Sequence, residues 1–92
     1  MSGDIPARIL TICNRRGLHA RSSAKFVKCA DAFDAQVTVR RDGQEVSGTS
    51  IMGLLMLAAA KDSEIEVSAT GPDATAVLDA LEALVNSGFD ED

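Results

Sequence analysis

The sequence predicts a two-layer α+β domain, in which a four-stranded antiparallel sheet carries three helices on one face in the order β-α-β-β-α-β-α. Three observations lead to this fold. The chain has 92 residues, which is the length of one domain with a single core. Segments with apolar residues at every second position alternate with segments whose apolar residues recur every three to four positions. Each predicted strand is apolar on one side only, so one sheet face is covered and the other meets water.

The strands follow from period-two patterns that end at turn residues. They are predicted at residues 5–13, 34–41, 44–47 and 64–70. Asp42 and Gly43 form a two-residue hairpin signal, because a type I′ turn requires positive φ at both positions. Pro6 cannot donate a backbone hydrogen bond, so it belongs at the start of the first strand or on an edge of the sheet.

The helices follow from apolar stripes and capping residues. They are predicted at residues 20–31, 51–58 and 73–86. The clearest stripe belongs to the third helix and consists of Val77, Leu78, Leu81, Leu84 and Val85. Ser50 or Thr49 is expected to cap the second helix. We expect a single domain over residues 1–92, with its core at 5–86, a loose N-terminus at 1–4 and an acidic tail at 87–92.

The composition argues against several functional classes. A net charge of −5 disfavours general nucleic-acid binding. No apolar run approaches the roughly 20 residues that span a bilayer, so we expect no direct membrane contact. The single histidine and the two separated cysteines, Cys13 and Cys29, lack metal-ligand spacing, so we expect no metal site. The cysteines are expected to be reduced, partly buried thiols, and a disulfide between them is the alternative that the sequence leaves open. The N-terminus lacks the basic and apolar segments of a signal peptide, and the expected compartment is the cytoplasm.

His19, the only histidine, directly precedes the first predicted helix. The first four N–H groups of a helix have no partner within it, and the helix dipole adds roughly half a positive charge there. Such a position attracts phosphate, and an unprotonated imidazole is a nucleophile. Gly17 permits a tight turn into the helix, and Arg21 is close enough to share a bound anion. On position alone, a single histidine near a helix start is usually a cap or a surface residue.

The chain is basic around this histidine although it is acidic as a whole. Five cationic residues and no acidic residue lie between positions 14 and 28: Arg15, Arg16, Arg21, Lys25 and Lys28. A basic patch on an acidic protein suits a phosphate group or an acidic partner. A solvated helix face would give the same pattern.

The second predicted helix is apolar on too many sides to be buried completely. Its apolar residues are Ile51, Met52, Leu54, Leu55, Met56 and Leu57. Some of them are expected to stay exposed, and an exposed apolar patch often marks a partner surface. Methionine suits such a surface because it is flexible and polarizable. The alternative is that Met52 and Met56 fill gaps in the core.

Two separated motifs resemble one known family. The run Gly-Leu-His-Ala-Arg-x-x-Ala-x-Phe-Val at residues 17–27 closely resembles the active-site segment of HPr, the phosphocarrier of the bacterial phosphoenolpyruvate-dependent phosphotransferase system. Ser50-Ile51-Met52-Gly53 resembles the regulatory-serine segment of the same family. The order of elements fits the family over about residues 5–86. Ser22 stands where many family members have proline, so the helix start lacks the fixed φ that proline provides.

The resemblance implies that this protein is a phosphoryl carrier without turnover of its own and without a cofactor. Enzyme I, charged from phosphoenolpyruvate, would phosphorylate Nδ1 of His19, and the group would pass to a histidine on a IIA-type acceptor. The backbone N–H groups of Ala20 and Arg21 and the Arg21 guanidinium would hold the phosphate. The implied partner surface consists of Ala20, Arg21, Ser23, Ala24, Lys28, Ile51, Met52 and Leu55.

Ser50 aligns with the serine that HPr kinase/phosphorylase modifies in the family. A phosphate there would repel acidic partners, whereas Ser50 would otherwise be only a helix cap. We expect a monomer, because a carrier must offer the same patch to several partners in turn.

Three alternatives remain open at this level. The carrier either feeds sugar transport or serves a nitrogen-related regulatory branch that moves no sugar. A second alternative is that the chain is not a carrier but a non-catalytic regulatory interaction domain, in which His19 is only a helix cap. An RNA-binding α+β domain is disfavoured by the acidic net charge and by the lack of tyrosine and tryptophan for base stacking.

Overall fold

The secondary structure follows the predicted order β-α-β-β-α-β-α. The computed structural model describes residues 5–91, so the predicted loose N-terminus and the last residue of the tail lie outside the described residues. The elements are β1 (Ala7–Thr11), α1 (Ala20–Asp31), β2 (Gln36–Arg41), β3 (Gln44–Ser47), α2 (Ile51–Met56), β4 (Glu64–Thr70) and α3 (Ala74–Asn86), followed by a single 3-10 turn at Gly88–Asp90.

The four strands form one antiparallel sheet in the order β1-β4-β2-β3. Leu10 of β1 lies opposite Ile65 of β4, and Val67 lies opposite Val39 of β2. These residues alternate with exposed or half-buried neighbours along each strand, as the period-two pattern predicted. The predicted two-layer α+β fold is confirmed.

The core lies between the sheet and the helices. Its largest fully buried side chains come from all three helices, the strands, the adjoining loops and the C-terminal tail, and include Phe26, Phe89, Leu54, Leu81, Ile65 and Val67. Each such side chain contributes about 1.5–3 kcal/mol through its removal from water. On the opposite face of the sheet, Arg40 pairs with Glu45 and Glu66 at 2.8 and 3.3 Å, so this face is solvated.

Five boundaries differ from the prediction. β2 begins at Gln36 rather than at residue 34, α3 begins at Ala74 rather than at residue 73, and the other three belong to β1 and α2. β1 pairs only from Ala7, because Pro6 has no N–H to donate, although its carbonyl still accepts a hydrogen bond from Ala69 at 3.1 Å. β1 also ends before Cys13. α2 ends at Met56 rather than at residue 58, because Ala58 adopts φ +53 and leaves the right-handed helix. None of the helices between residues 5 and 91 is long and apolar enough to cross a bilayer.

The segment after α3 returns to the body of the domain. Phe89 is fully buried even though its backbone lies in the left-handed region, with φ +57. The Lys25 ammonium donates a hydrogen bond of 2.6 Å to the Phe89 carbonyl. The tail therefore packs across α1, and its acidic residues lie beside the basic run of the sequence.

Candidate functional site

A tight loop after β1 delivers the chain to the start of α1. Gly17 has φ +65, and a Cβ atom there would lie 2.4 Å from the carbonyl oxygen of Ala59. The neighbouring Leu18 N–H donates to that same oxygen at 2.9 Å. Only glycine combines this conformation with so close an approach, which confirms the predicted tight turn into the helix.

His19 is the N-cap residue of α1, with extended backbone angles of φ −109 and ψ −173. Its Nδ1 atom accepts a hydrogen bond of 3.3 Å from the backbone N–H of Arg21. Ala20 and Arg21 are the first two residues of the helix, so their N–H groups have no carbonyl partner one turn earlier. The ring therefore lies at the electropositive end of α1, with 18 % of its side chain exposed.

Ser22 fixes this helix start from within the first turn. Its hydroxyl accepts a hydrogen bond from the His19 N–H at 3.0 Å and donates one to the Gly17 carbonyl at 2.8 Å. The side chain is fully buried. The serine thus makes a reciprocal capping arrangement with His19, at the position where proline is common in the HPr family.

The second ring nitrogen of His19 faces the acidic tail. Nε2 lies 2.5 Å from Oε2 of Glu91, and the Asn14 side-chain amide donates to Oε1 of the same carboxylate at 3.0 Å. The other hydrogen of that amide reaches the Gly17 carbonyl at 2.8 Å. Because the Arg21 N–H can only donate, Nδ1 must be the acceptor, and the proton of the neutral ring lies on Nε2.

The environment of Glu91 favours its ionised form. Partial burial raises the pKa of this carboxyl, but hydrogen bonds from Asn14 and His19 and the charge of Lys25 outweigh burial, so the pKa is lowered overall. The carboxylate can therefore accept both hydrogen bonds at neutral pH.

The basic residues of the sequence converge beside the imidazole. Four cationic side chains and two of the acidic side chains of the tail line one surface depression: Arg15, Arg16, Arg21, Lys25, Asp90 and Glu91. Lys28 is exposed farther along α1. The depression presents positive charge to an incoming anion, while the tail offsets part of that charge.

The predicted partner surface is largely exposed. Ala20, Arg21, Ala24 and Lys28 are exposed on α1, and α2 presents Ile51 and Met52 at 41 % and 69 % exposure, with Leu55 half-buried. Met56 is also exposed, at 66 %, so neither methionine of this helix fills the core. Ser23 requires a correction: it points inward and is fully buried, so it has no surface to offer a partner in this conformation.

Ser50 caps α2, as expected. Its hydroxyl accepts a hydrogen bond of 3.0 Å from the Gly53 N–H. The residue is half-buried and directly precedes the exposed Ile51 and Met52. Its oxygen therefore lies at the border of the apolar patch.

Three residues of this site were missed at the level of sequence. Asn14 and Glu91 contact the loop and the ring, but Glu91 lies 72 positions from His19 in a tail that no periodic pattern covers. Ser22 was noticed only as a departure from the HPr pattern. The signal that could have identified it is a hydroxyl residue three positions after a helix cap.

Comparisons with known proteins agree with this architecture. A family model described as "PTS HPr component phosphorylation site" matches residues 7–87. The phosphocarrier protein NPr of Escherichia coli (strain K12) is 49 % identical over 82 residues, which cover 88 % of this chain and 91 % of that protein. The phosphocarrier protein HPr of Pseudomonas putida is 46 % identical over 88 residues, covering 95 % of this chain and 98 % of that one.

A solved structure gives the same result. The crystal structure of HPr-C-His from Thermoanaerobacter tengcongensis superposes with a TM-score of 0.91 at 35 % identity, covering 96 % of this chain and 99 % of that one. The family model, the two relatives and the solved structure all point to the same family. The chain belongs to the HPr family of phosphocarrier proteins of the phosphotransferase system.

Proposed function

We propose that this protein accepts a phosphoryl group from Enzyme I on Nδ1 of His19 and passes it to IIA-type acceptors in the cytoplasm. The observation that carries the proposal is the contact between Nδ1 and the Arg21 N–H at the N-terminus of α1. It aims the nucleophilic nitrogen at the place where the helix can stabilise an anion. The role of phosphocarrier is that of the family, and the assignment of Nδ1 of His19 as the phosphorylated atom is our inference.

The proposed reaction needs little from the protein beyond position and charge. The unprotonated Nδ1 atom attacks phosphorus in line, and the Arg21 N–H that it leaves becomes a donor to a phosphoryl oxygen. The Ala20 N–H and the Arg21 guanidinium provide further donors for the equatorial oxygens. Exposed Arg15 and Arg16 in the same depression attract the charged donor protein.

Mass spectrometry after incubation with Enzyme I and phosphoenolpyruvate tests this function. We expect one phosphate on the protein, labile in acid and stable in alkali, as for a phosphohistidine. His19→Ala removes the only histidine and should abolish this modification, whereas Ser50→Ala should retain it. An acid-labile phosphate on His19→Ala would overturn the assignment. If the protein takes up no phosphate but binds a partner protein equally well with and without His19, it is instead a regulatory interaction domain.

The relative called NPr supports a second proposal about the branch that the carrier serves. Its identity of 49 % favours a nitrogen-related branch, in which the acceptor regulates rather than transports sugar. The acceptor defines the branch, so the test is competition between a nitrogen-related and a sugar-specific IIA protein for phosphate from the labelled carrier. Faster transfer to the nitrogen-related IIA supports this branch, and faster transfer to the sugar-specific IIA assigns the carrier to transport.

We further propose that phosphorylation of Ser50 regulates docking. The serine lies beside exposed Ile51 and Met52, and a phosphate would add nearly two negative charges there. Ser50→Asp should slow phosphorylation by Enzyme I while the helix cap is preserved, because aspartate is also a good N-cap. Thr75→Asp, which adds the same charge at an exposed position on α3, is the control. Equal rates for both variants would contradict this role.

A further inference from the structure

Three side chains form a hydrogen-bonded series that ends on the ring of His19. The Asn14 amide contacts Oε1 of Glu91 at 3.0 Å, and Oε2 of Glu91 contacts Nε2 of His19 at 2.5 Å. The His19 and Glu91 side chains are only 18 % and 15 % exposed. Water therefore competes weakly for this contact, which strengthens its electrostatic component.

The tail holds Glu91 in place by two further contacts. Phe89 is fully buried two residues earlier, and its carbonyl accepts the Lys25 ammonium at 2.6 Å. Asp90, between them, is exposed and makes no side-chain hydrogen bond or ion pair within residues 5–91. Of the two carboxylates at positions 90 and 91, only that of Glu91 contacts the ring.

We propose that Glu91 is a positioning residue for phosphoryl transfer, which holds the proton of His19 on Nε2 and neutralises the positive charge that the ring acquires when Nδ1 is phosphorylated. This inference rests on the proposed function of His19. It assigns to the tail a part in the transfer site, so residues 87–91 are not merely an extension of α3. Asn14 acts through Glu91 by donating a hydrogen bond to Oε1, which holds the carboxylate beside the ring.

The charge balance of the transfer explains why a carboxylate suits this position. The neutral ring attacks with the electron pair of Nδ1, a bond forms between Nδ1 and phosphorus, and the bond between phosphorus and the donor breaks with its electron pair on the donor. The ring keeps its proton on Nε2 and becomes cationic. Glu91 then faces a full positive charge. When an acceptor nitrogen attacks phosphorus, Nδ1 regains its electron pair and the ring is neutral again.

Two variants of the tail separate this role from a general effect of charge. Glu91→Gln and Asp90→Asn each remove one negative charge and change the side-chain volume little. Only the first alters the group that contacts Nε2. For each variant and the unmodified protein, we would record the 15N and 1H resonances of the His19 ring at neutral pH and the initial rate of phosphorylation by Enzyme I and phosphoenolpyruvate.

We expect the unmodified protein and Asp90→Asn to show a downfield Nε2 proton that exchanges slowly with water, as a short hydrogen bond to a carboxylate requires. Glu91→Gln should lose this resonance and be phosphorylated about tenfold more slowly, the loss expected when a neutral group replaces an ionised hydrogen-bond partner. Glu91→Asp, which keeps the charge, should show both the Nε2 proton resonance and the normal rate, whereas Glu91→Asn should show neither. That pair of results would show that the charge is required.

Two results would overturn the inference. In the first, Glu91→Gln keeps the slowly exchanging proton and the normal rate. In the second, Glu91→Gln is phosphorylated faster, which would make the carboxylate an electrostatic barrier to the donor. If the unmodified protein and Asp90→Asn take up no phosphate at all, the proposed function of His19 fails, and the ring resonances still report whether Glu91 holds the Nε2 proton.

Discussion

Ser22 and Ser23 are consecutive and both fully buried, but only the Ser22 hydroxyl makes hydrogen bonds. Ser22 hydrogen-bonds to the His19 N–H and the Gly17 carbonyl. The Ser23 hydroxyl has no hydrogen-bond partner among residues 5–91. At the start of α1, the Ser22 hydroxyl therefore fixes the His19 loop, whereas burial of the unpaired Ser23 hydroxyl only destabilises the fold.

We expect Ser22→Ala to lower the free energy of unfolding by about 1–2 kcal/mol, because the hydroxyl's hydrogen bonds to the N–H of the N-cap residue His19 and to the Gly17 carbonyl are lost. Ser23→Ala should leave stability unchanged or raise it slightly. Both substitutions gain the same helix propensity, so the difference between them isolates the hydrogen bonds. Urea denaturation of the two variants measures it, and equal stabilities would show that the Ser22 contacts contribute nothing.

Two glycines with positive φ provide a second matched pair. Gly43 has φ +81 in the hairpin, and a Cβ atom there would point into open space, whereas at Gly17 such an atom would meet the backbone of Ala59 and Ala60 at 2.4 and 2.8 Å. Gly43→Ala should cost only the conformational penalty of about 1–2 kcal/mol. Gly17→Ala should cost clearly more and displace His19. Thermal unfolding compares the two, and similar losses would contradict the close approach.

The elements that the sequence predicted well are those with an internal period. α1, β3 and β4 begin and end where their patterns indicate, because buried and exposed positions alternate in each with little interruption. Asp42 and Gly43 both have positive φ, as the hairpin signal required. His19 was found because a short motif and a helix start coincide there.

The remaining part of the site depends on contacts between distant residues. Glu91 follows α3 in a stretch without periodicity, so its contact with His19 exists only after the whole domain has folded. Phe89 likewise gave no pattern, since a single apolar residue in an acidic tail does not indicate burial. Ser23 was assigned to the partner surface by the resemblance to the HPr family, although α1 turns that side chain toward the core.

Burial of Phe89 makes the tail part of the core. Phe89→Ala should lower the free energy of unfolding by about 3–5 kcal/mol and release Glu91 from His19. Phe33→Ala is the control, because Phe33 is only half-buried beside the core and lies outside the tail. Denaturation gives the stability, and the His19 ring resonances report the release. A Phe89→Ala protein with an unchanged ring environment would mean that the tail holds without its anchor.

The exposed methionines of α2 are expected to serve recognition. Met52 is 69 % exposed beside α1, and Ile9 is 59 % exposed on the solvated face of the sheet. Met52→Lys and Ile9→Lys should each change stability by no more than about 0.5 kcal/mol, as is usual for surface substitutions. Only Met52→Lys should slow phosphorylation by Enzyme I. Equal rates for the two variants would remove α2 from the docking surface.

Acidification should detach the tail from His19. Burial opposes ionisation of Glu91, but the hydrogen bonds from Asn14 and His19 overcome burial and lower the pKa of this carboxyl in the folded protein. A lowered folded-state pKa means that the contact stabilises the fold fully above the pKa of the unfolded chain and is lost as the pH falls through the folded-state pKa.

Titration of the Glu91 side-chain carboxyl by 13C NMR, from about pH 7 to pH 2, measures this effect. We expect its midpoint below that of an ordinary glutamate, and Asn14→Ala should move it upward because one hydrogen bond to the ionised form is removed. Over the same range, Glu91→Gln should lose less stability than the unmodified protein, since it has no carboxyl at this position to protonate. A Glu91 midpoint at or above the usual value would show that burial outweighs both hydrogen bonds and that the tail does not hold an ionised carboxylate against the ring.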